Sequence, residues 1–148
     1  METTNEVQMV TLAMENEVRC AAVIALLDDL GLRHSLVNIR LSITDKDRAV
    51  LEQSSVVILD TDDDAASLVH IVHEIYKLFP GKGGLPIIGM LSVLQYDRNP
   101  RFGYWLIGER AAIQALLAFD IPEFPVFLRN MVKRLTWAES SSREADTN

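Results

Sequence analysis

The sequence predicts a three-layer α/β domain built on a mainly parallel sheet, and three observations carry that expectation. Strand-like apolar runs alternate with helix-like amphipathic stretches along most of the 148 residues. One run, Ser55-Val56-Val57-Ile58-Leu59, passes directly into the carboxylates Asp60, Asp62, Asp63 and Asp64. A buried parallel strand ends in this way when it delivers an acid to the rim of an α/β sheet. About half of the residues are apolar, enough for the core of one domain of ordinary size.

Gln8 to Met14 reads as the first strand, ending at Glu15-Asn16-Glu17. From Val18 to Leu30, the residues Cys20, Val23, Ile24, Leu27 and Leu30 recur at helical spacing, and Gly31 stands where a helix C-cap needs it. Leu36-Val37-Asn38-Ile39 is expected to be a short second strand. Thr44 or Asp45 can cap a brief helix containing Ala49, Val50 and Leu51. Val56 to Leu59 is the third strand. Ala65, Leu68, Val69, Val72, Ile75, Tyr76 and Phe79 then form a continuous apolar helical face, stopped by Pro80-Gly81. Leu85 to Leu91 reads as the fourth strand.

The last third is less regular. Asp97 to Pro100 are turn residues between aromatic and apolar segments, and they suggest a hairpin extending the fourth strand within an insertion from Tyr96 to Trp105. Ala111 to Leu117 is composed of good helix formers, so a fifth strand is hard to find there. Phe124, Phe127, Leu128, Met131, Val132 and Leu135 define an amphipathic final helix. The domain is thus expected over residues 7–137, followed by a disordered polar tail over 138–148.

Composition narrows the function classes. The net charge of −7 disfavours nucleic acid or an anionic membrane as a direct partner, because phosphates call for a basic face. No run approaches the roughly 20 apolar residues of a membrane span, and residues 1–6 lack the layout of a signal peptide, so a cytoplasmic protein is expected. The single cysteine, Cys20, lies within a helical apolar pattern and reads as an inert thiol.

The acids after the third strand suit two roles. Converging carboxylates can hold Mg²⁺ or present a phosphoryl acceptor, whereas a solvated loop and helix N-cap would use the same residues without chemistry. His70 and His73 stand three apart on a helix with no third ligand evident, which favours a surface role over a metal site. Gly81-Lys82-Gly83-Gly84 lacks the phosphate-loop spacing and reads as a turn. Phe102, Tyr104 and Trp105 beside Arg98 and Arg101 have the composition of an interaction hot spot, and equally that of residues capping the core.

From Val7 to Trp137 the layout resembles the receiver domain of bacterial two-component response regulators. The carriers are the acidic turn at Glu15, the Asp28-Asp29-Leu30-Gly31 helix ending, Ile58-Leu59-Asp60, Pro86-Ile87-Ile88 and Pro122-Glu123-Phe124. The resemblance implies a flavodoxin-like topology with five strands. It also implies an acidic pocket of Glu15, Glu17, Asp60 and Asp62, Asp60 as phosphoacceptor, Mg²⁺ among Glu15, Asp60 and Asp62, and Ser92 as the switch hydroxyl. Three positions depart from the family pattern. The first acidic pair reads Met14-Glu15, or Glu15-Asn16 if shifted by one, Ser92 falls one place late, and Ile121 occupies the position of the lysine that would neutralise a phosphoryl group.

The expectation is therefore an atypical or pseudo-receiver, not an enzyme. It would act as a protein-interaction module in bacterial signalling, without a resident cofactor, alone or as a homodimer, with its working surface at Arg98, Arg101, Phe102, Tyr104 and Trp105. One alternative is a phosphorylatable receiver. A second rests on Val57-Ile58-Leu59-Asp60-Thr61-Asp62, which resembles the opening motif of haloacid-dehalogenase-type phosphatases, with Asp60 as nucleophile and Asp62 as acid/base. No later strand ending in paired acids completes that motif.

Overall fold

The computed structural model describes residues 8–39, 43–62, 65–79, 85–98 and 115–147. Five strands form one sheet: β1 (Met9–Ala13), β2 (Arg33–Leu36), β3 (Val56–Asp60), β4 (Ile87–Leu91) and β5 (Ala115–Ala118). Their order is β2-β1-β3-β4-β5, and all four pairings are parallel. The helices are α1 (Glu17–Asp29), α2 (Asp45–Glu52), α3 (Ala65–Leu78), α4 (Val93–Arg98) and α5 (Phe124–Thr147).

Strand parity sorts the core into two halves. Even-numbered residues Val10, Leu12, Val56, Ile58, Ile88 and Met90 pack with Val23 and Leu27 of α1 and with Leu128 and Val132 of α5. Odd-numbered Ala13, Val57, Leu59, Ile87 and Leu91 pack on the opposite face with Leu51 of α2 and with Leu68, Ile71, Val72 and Ile75 of α3. Every residue of β3 and β4 is buried, as expected for central strands covered on both faces. The pairs Val57 with Ile87 and Ile58 with Ile88 thus serve two cores rather than one. Thr11 is the polar exception on the α2/α3 face. Its buried hydroxyl bonds Ser35 Oγ at 2.8 Å and also Ser54, whose own hydroxyl donates to the Val50 carbonyl at 2.9 Å.

Caps fix the helix ends. Asn16 Oδ1 accepts the Arg19 N–H at the start of α1. At its other end Gly31 takes φ 73°, and the Gly31 and Leu32 N–H groups close back onto the carbonyls of Asp28 and Leu27, a Schellman ending that favours glycine. Thr44 and Asp47 form a reciprocal capping box at α2.

Four local expectations are corrected. The second strand is Arg33–Leu36, three residues earlier than Leu36–Ile39; Val37 and Ile39 are buried just beyond the strand end. Tyr96 to Arg98 belong to α4 and not to a hairpin, since Ser92 and Gln95 cap a helical turn there. Ala115–Ala118 is a strand although its residues favour helix; pairing with β4 overrides propensity. Lastly, α5 continues to Thr147, through the residues expected as a disordered tail. Extending a helix already anchored by packing requires no new nucleus.

Candidate functional site

The end of β3 carries Asp60 to the rim of the sheet, and its even parity turns it toward the α1 face. Asp60 is fully buried, an environment that a carboxylate tolerates only with partners. Among the described residues it has three donors. The Glu15 backbone N–H donates to Oδ1 at 2.6 Å. Arg19 Nε donates to Oδ2 at 2.9 Å, and Arg19 Nη2 lies 2.9 Å from the same oxygen.

Arg19 reaches a second carboxylate, with Nη2 2.6 Å from Asp62 Oδ1. Asn16 Nδ2 donates weakly to the other Asp62 oxygen at 3.4 Å. The guanidinium also lies 4.0 Å from the centroid of the Phe119 ring, which immediately follows β5. One arginine therefore joins the start of α1, the end of β3 and the end of β5. Its side chain is 18% exposed, whereas Asp62 is about half exposed.

The two carboxylates titrate in opposite directions. Burial raises the Asp60 pKa, outweighing the Glu15 N–H and the Arg19 charge that oppose it, and the neighbouring Asp62 charge adds to the rise. The hydrogen bond from Arg19 holds Asp62 below the usual carboxylate range. Cys20, half-buried beside this cluster, has its thiol pKa raised by burial and then by the Asp60 charge, which keeps it protonated.

The remaining site expectations are distributed as follows. Glu15 contributes its backbone to Asp60, and Glu17 is exposed in the first turn of α1, where its charge suits the helix dipole. Ser92 Oγ accepts the Gln95 N–H and so caps α4, while the Gln95 side chain donates to the Thr61 carbonyl at 3.0 Å. Glu15, Asp60 and Asp62, the residues expected around Mg²⁺, stand at or just beyond the carboxyl ends of β1 and β3. Among the described residues no group of three His, Cys, Asp or Glu could hold a metal ion, and Arg19 occupies the inner oxygens of the two aspartates. His70 and His73 lie on the exposed side of α3. Arg98 is exposed at the end of α4. Arg101, Phe102, Tyr104 and Trp105, with Asp63, Asp64 and the Gly81–Gly84 segment, lie outside the described residues.

Arg19, Asn16 and Phe119 were missed by the sequence reading. A signal for Arg19 existed: it is the third residue of a helix capped by Asn16, where a cation opposes the helix dipole unless acids face it.

Two of the solved structures that resemble the chain match it over most of its length. The receiver domain of a sensor histidine kinase from Pseudomonas aeruginosa PAO1, crystallised with magnesium in its active-site cleft, is 22% identical. That match covers 88% of this chain and 98% of the other, with a TM-score of 0.57. The fold is that of a receiver domain. A putative pilus assembly-related protein from Burkholderia pseudomallei K96243 shares the receiver-like fold at 19% identity and a TM-score of 0.63, over 87% of this chain and 89% of that one. No protein-family model and no curated protein matches the chain. In this receiver-like domain the acidic pocket lies at the carboxyl ends of β1 and β3, and the residue ahead of Pro122 is the half-buried Ile121.

Proposed function

We propose that this receiver-like domain is a signalling module that works through protein contacts, independently of phosphorylation at Asp60. The observation that carries this reading is the closure of Asp60. The residue is fully buried, with one oxygen on the Glu15 N–H and the other on Arg19. An acyl-phosphate acceptor needs an oxygen free for in-line attack and a cation free to take up developing charge. Arg19 ties up both at once. The same closure counts against Asp60 as a phosphatase nucleophile.

Magnesium, held in the cleft of the histidine-kinase receiver, does not fit the residues here. A hard divalent ion needs several oxygens at close range in near-octahedral array, and the inner oxygens of Asp60 and Asp62 already serve a guanidinium. No lysine flanks Pro122 to replace that lost charge.

The working face is assigned to α4, β5 and α5, together with the sequence around Arg98, Arg101, Phe102, Tyr104 and Trp105. Support comes from Val93 and Leu94 on α4 and Val126 and Phe127 on α5, all exposed apolar residues. A hollow of about 220 Å³ at Phe127 is lined also by Leu117, Asn130, Met131 and Arg134. Its partner is a protein, another copy of the chain included.

Addition of beryllofluoride or acetyl phosphate with Mg²⁺ tests the reading by amide NMR. The spectrum should stay nearly unchanged. Shifts spreading from Asp60 to Ser92 and α5 would overturn it.

A further inference from the structure

We infer that Arg19 is the resident cation of the acidic pocket, standing where a divalent ion would otherwise sit and barring its entry. The inference deepens the preceding reading, with which it shares the pocket, but it concerns cation occupancy alone.

Two carboxylates at the rim of one sheet repel each other, and some positive charge has to offset them. Arg19 supplies that charge from inside the chain. It spans both acids at hydrogen-bonding distance, with Nε and Nη2 on Asp60 Oδ2 and Nη2 also on Asp62 Oδ1. The planar fork suits this geometry, which an ammonium on a flexible stem would not reproduce. Phe119 at 4.0 Å backs the guanidinium on the side of β5 and adds a cation–π contact.

The helix itself does not favour the arrangement. A cation in the first turn of α1 opposes the positive end of the dipole, so the two aspartates and the ring must hold Arg19 there. For Mg²⁺ to reach Asp60, the guanidinium would have to give up its charge-assisted contacts to both acids and its stacking on Phe119. Each charge-assisted contact is worth more than an ordinary hydrogen bond. Arg19 is also covalently tethered, so its local concentration at the pocket far exceeds that of a free ion.

The test compares wild type with Arg19→Ala and Arg19→Gln, titrated with MnCl₂ and MgCl₂. Calorimetry reads affinity, and paramagnetic broadening of the amides near Asp60 reads location. Wild type should show no saturable broadening at millimolar Mn²⁺, whereas both variants should bind at least about tenfold tighter, the loss expected when charge-assisted contacts no longer compete. Mg²⁺ should raise the Tm of the variants only. If Arg19→Ala fails to fold, Arg19→Gln keeps a polar hydrogen-bonding group on a shorter, uncharged side chain. The wild-type Arg19 Nε–H resonance decides independently of either variant: it should be insensitive to Mg²⁺. Saturable Mn²⁺ broadening at Asp60 in wild type, a Mg²⁺-dependent shift of the Nε–H signal, or folded variants that bind no better than wild type would each overturn the inference. Wild-type metal binding without beryllofluoride-induced shifts would sink this inference and leave the proposed function standing. Large beryllofluoride shifts in a wild type that binds no Mn²⁺ would do the reverse.

Discussion

At the scale of single residues, the pocket is governed by the cost of burying Asp60. Removing the guanidinium leaves that carboxylate, among the described residues, with only the Glu15 N–H. Arg19→Ala should therefore cost about 3 kcal/mol at neutral pH. Because the folded-state pKa of Asp60 is already raised, the cost should shrink as acid protonates the group. Urea unfolding across pH checks this, and a cost constant from neutral to acid pH would trace the effect to lost packing instead. Asp62 runs the other way. Its folded pKa is depressed, so its contribution is present above the ordinary value of about 3.9 and is lost as pH falls through the depressed one. With half of the side chain exposed, Asp62→Asn should cost under about 1 kcal/mol at pH 7, and the two unfolding curves should converge in acid. The acids were legible in the sequence because a strand running into carboxylates is a local pattern. The position of Arg19 in the first turn of α1 was a faint signal, but its partners were not legible, because they stand more than forty positions away and the β1–β3 register brings them near.

At the scale of elements, legibility followed burial. The central strands announced themselves as continuous apolar runs, and Val56–Asp60 and Ile87–Leu91 lie where those runs predict them. The edge strands did not. Arg33-His34-Ser35-Leu36 is polar and partly exposed, and Ala115-Leu116-Leu117-Ala118 reads as helix until β4 pairs with it. The same hierarchy predicts energetics. Ile58→Ala and Ile88→Ala, neighbours on the α1/α5 face, should each cost about 2–5 kcal/mol in urea unfolding, and their sum should depart from additivity because they adjoin in register. An unchanged midpoint for either would contradict the packing of that face. Thr44→Ala removes one arm of the capping box at α2 and should cost about 1 kcal/mol.

At the scale of the whole molecule, the proposed function places partner contact on the exposed apolar residues of α4 and α5 and none on the closed pocket. Val126→Ser combined with Phe127→Ser should weaken capture of a partner, or self-association, with little loss of stability, since both side chains are exposed. Asp60→Asn should leave capture intact. Sedimentation and pull-down with both variants decide the matter, and loss of capture in Asp60→Asn alone would return the function to the pocket. The same face of the sheet has a history written in chain order. Arg129 of α5 pairs with Asp29 of α1, one hundred positions earlier, and Leu128 and Val132 complete the cluster that begins at Val10 and Leu12. During synthesis the α2/α3 side can be roofed while the chain is still emerging, but this side stays partly bare until α5 has left the ribosome. Through that interval Leu12, Ile58 and Met90 offer a greasy strip to any passing chaperone, and the late helix is what ends the exposure.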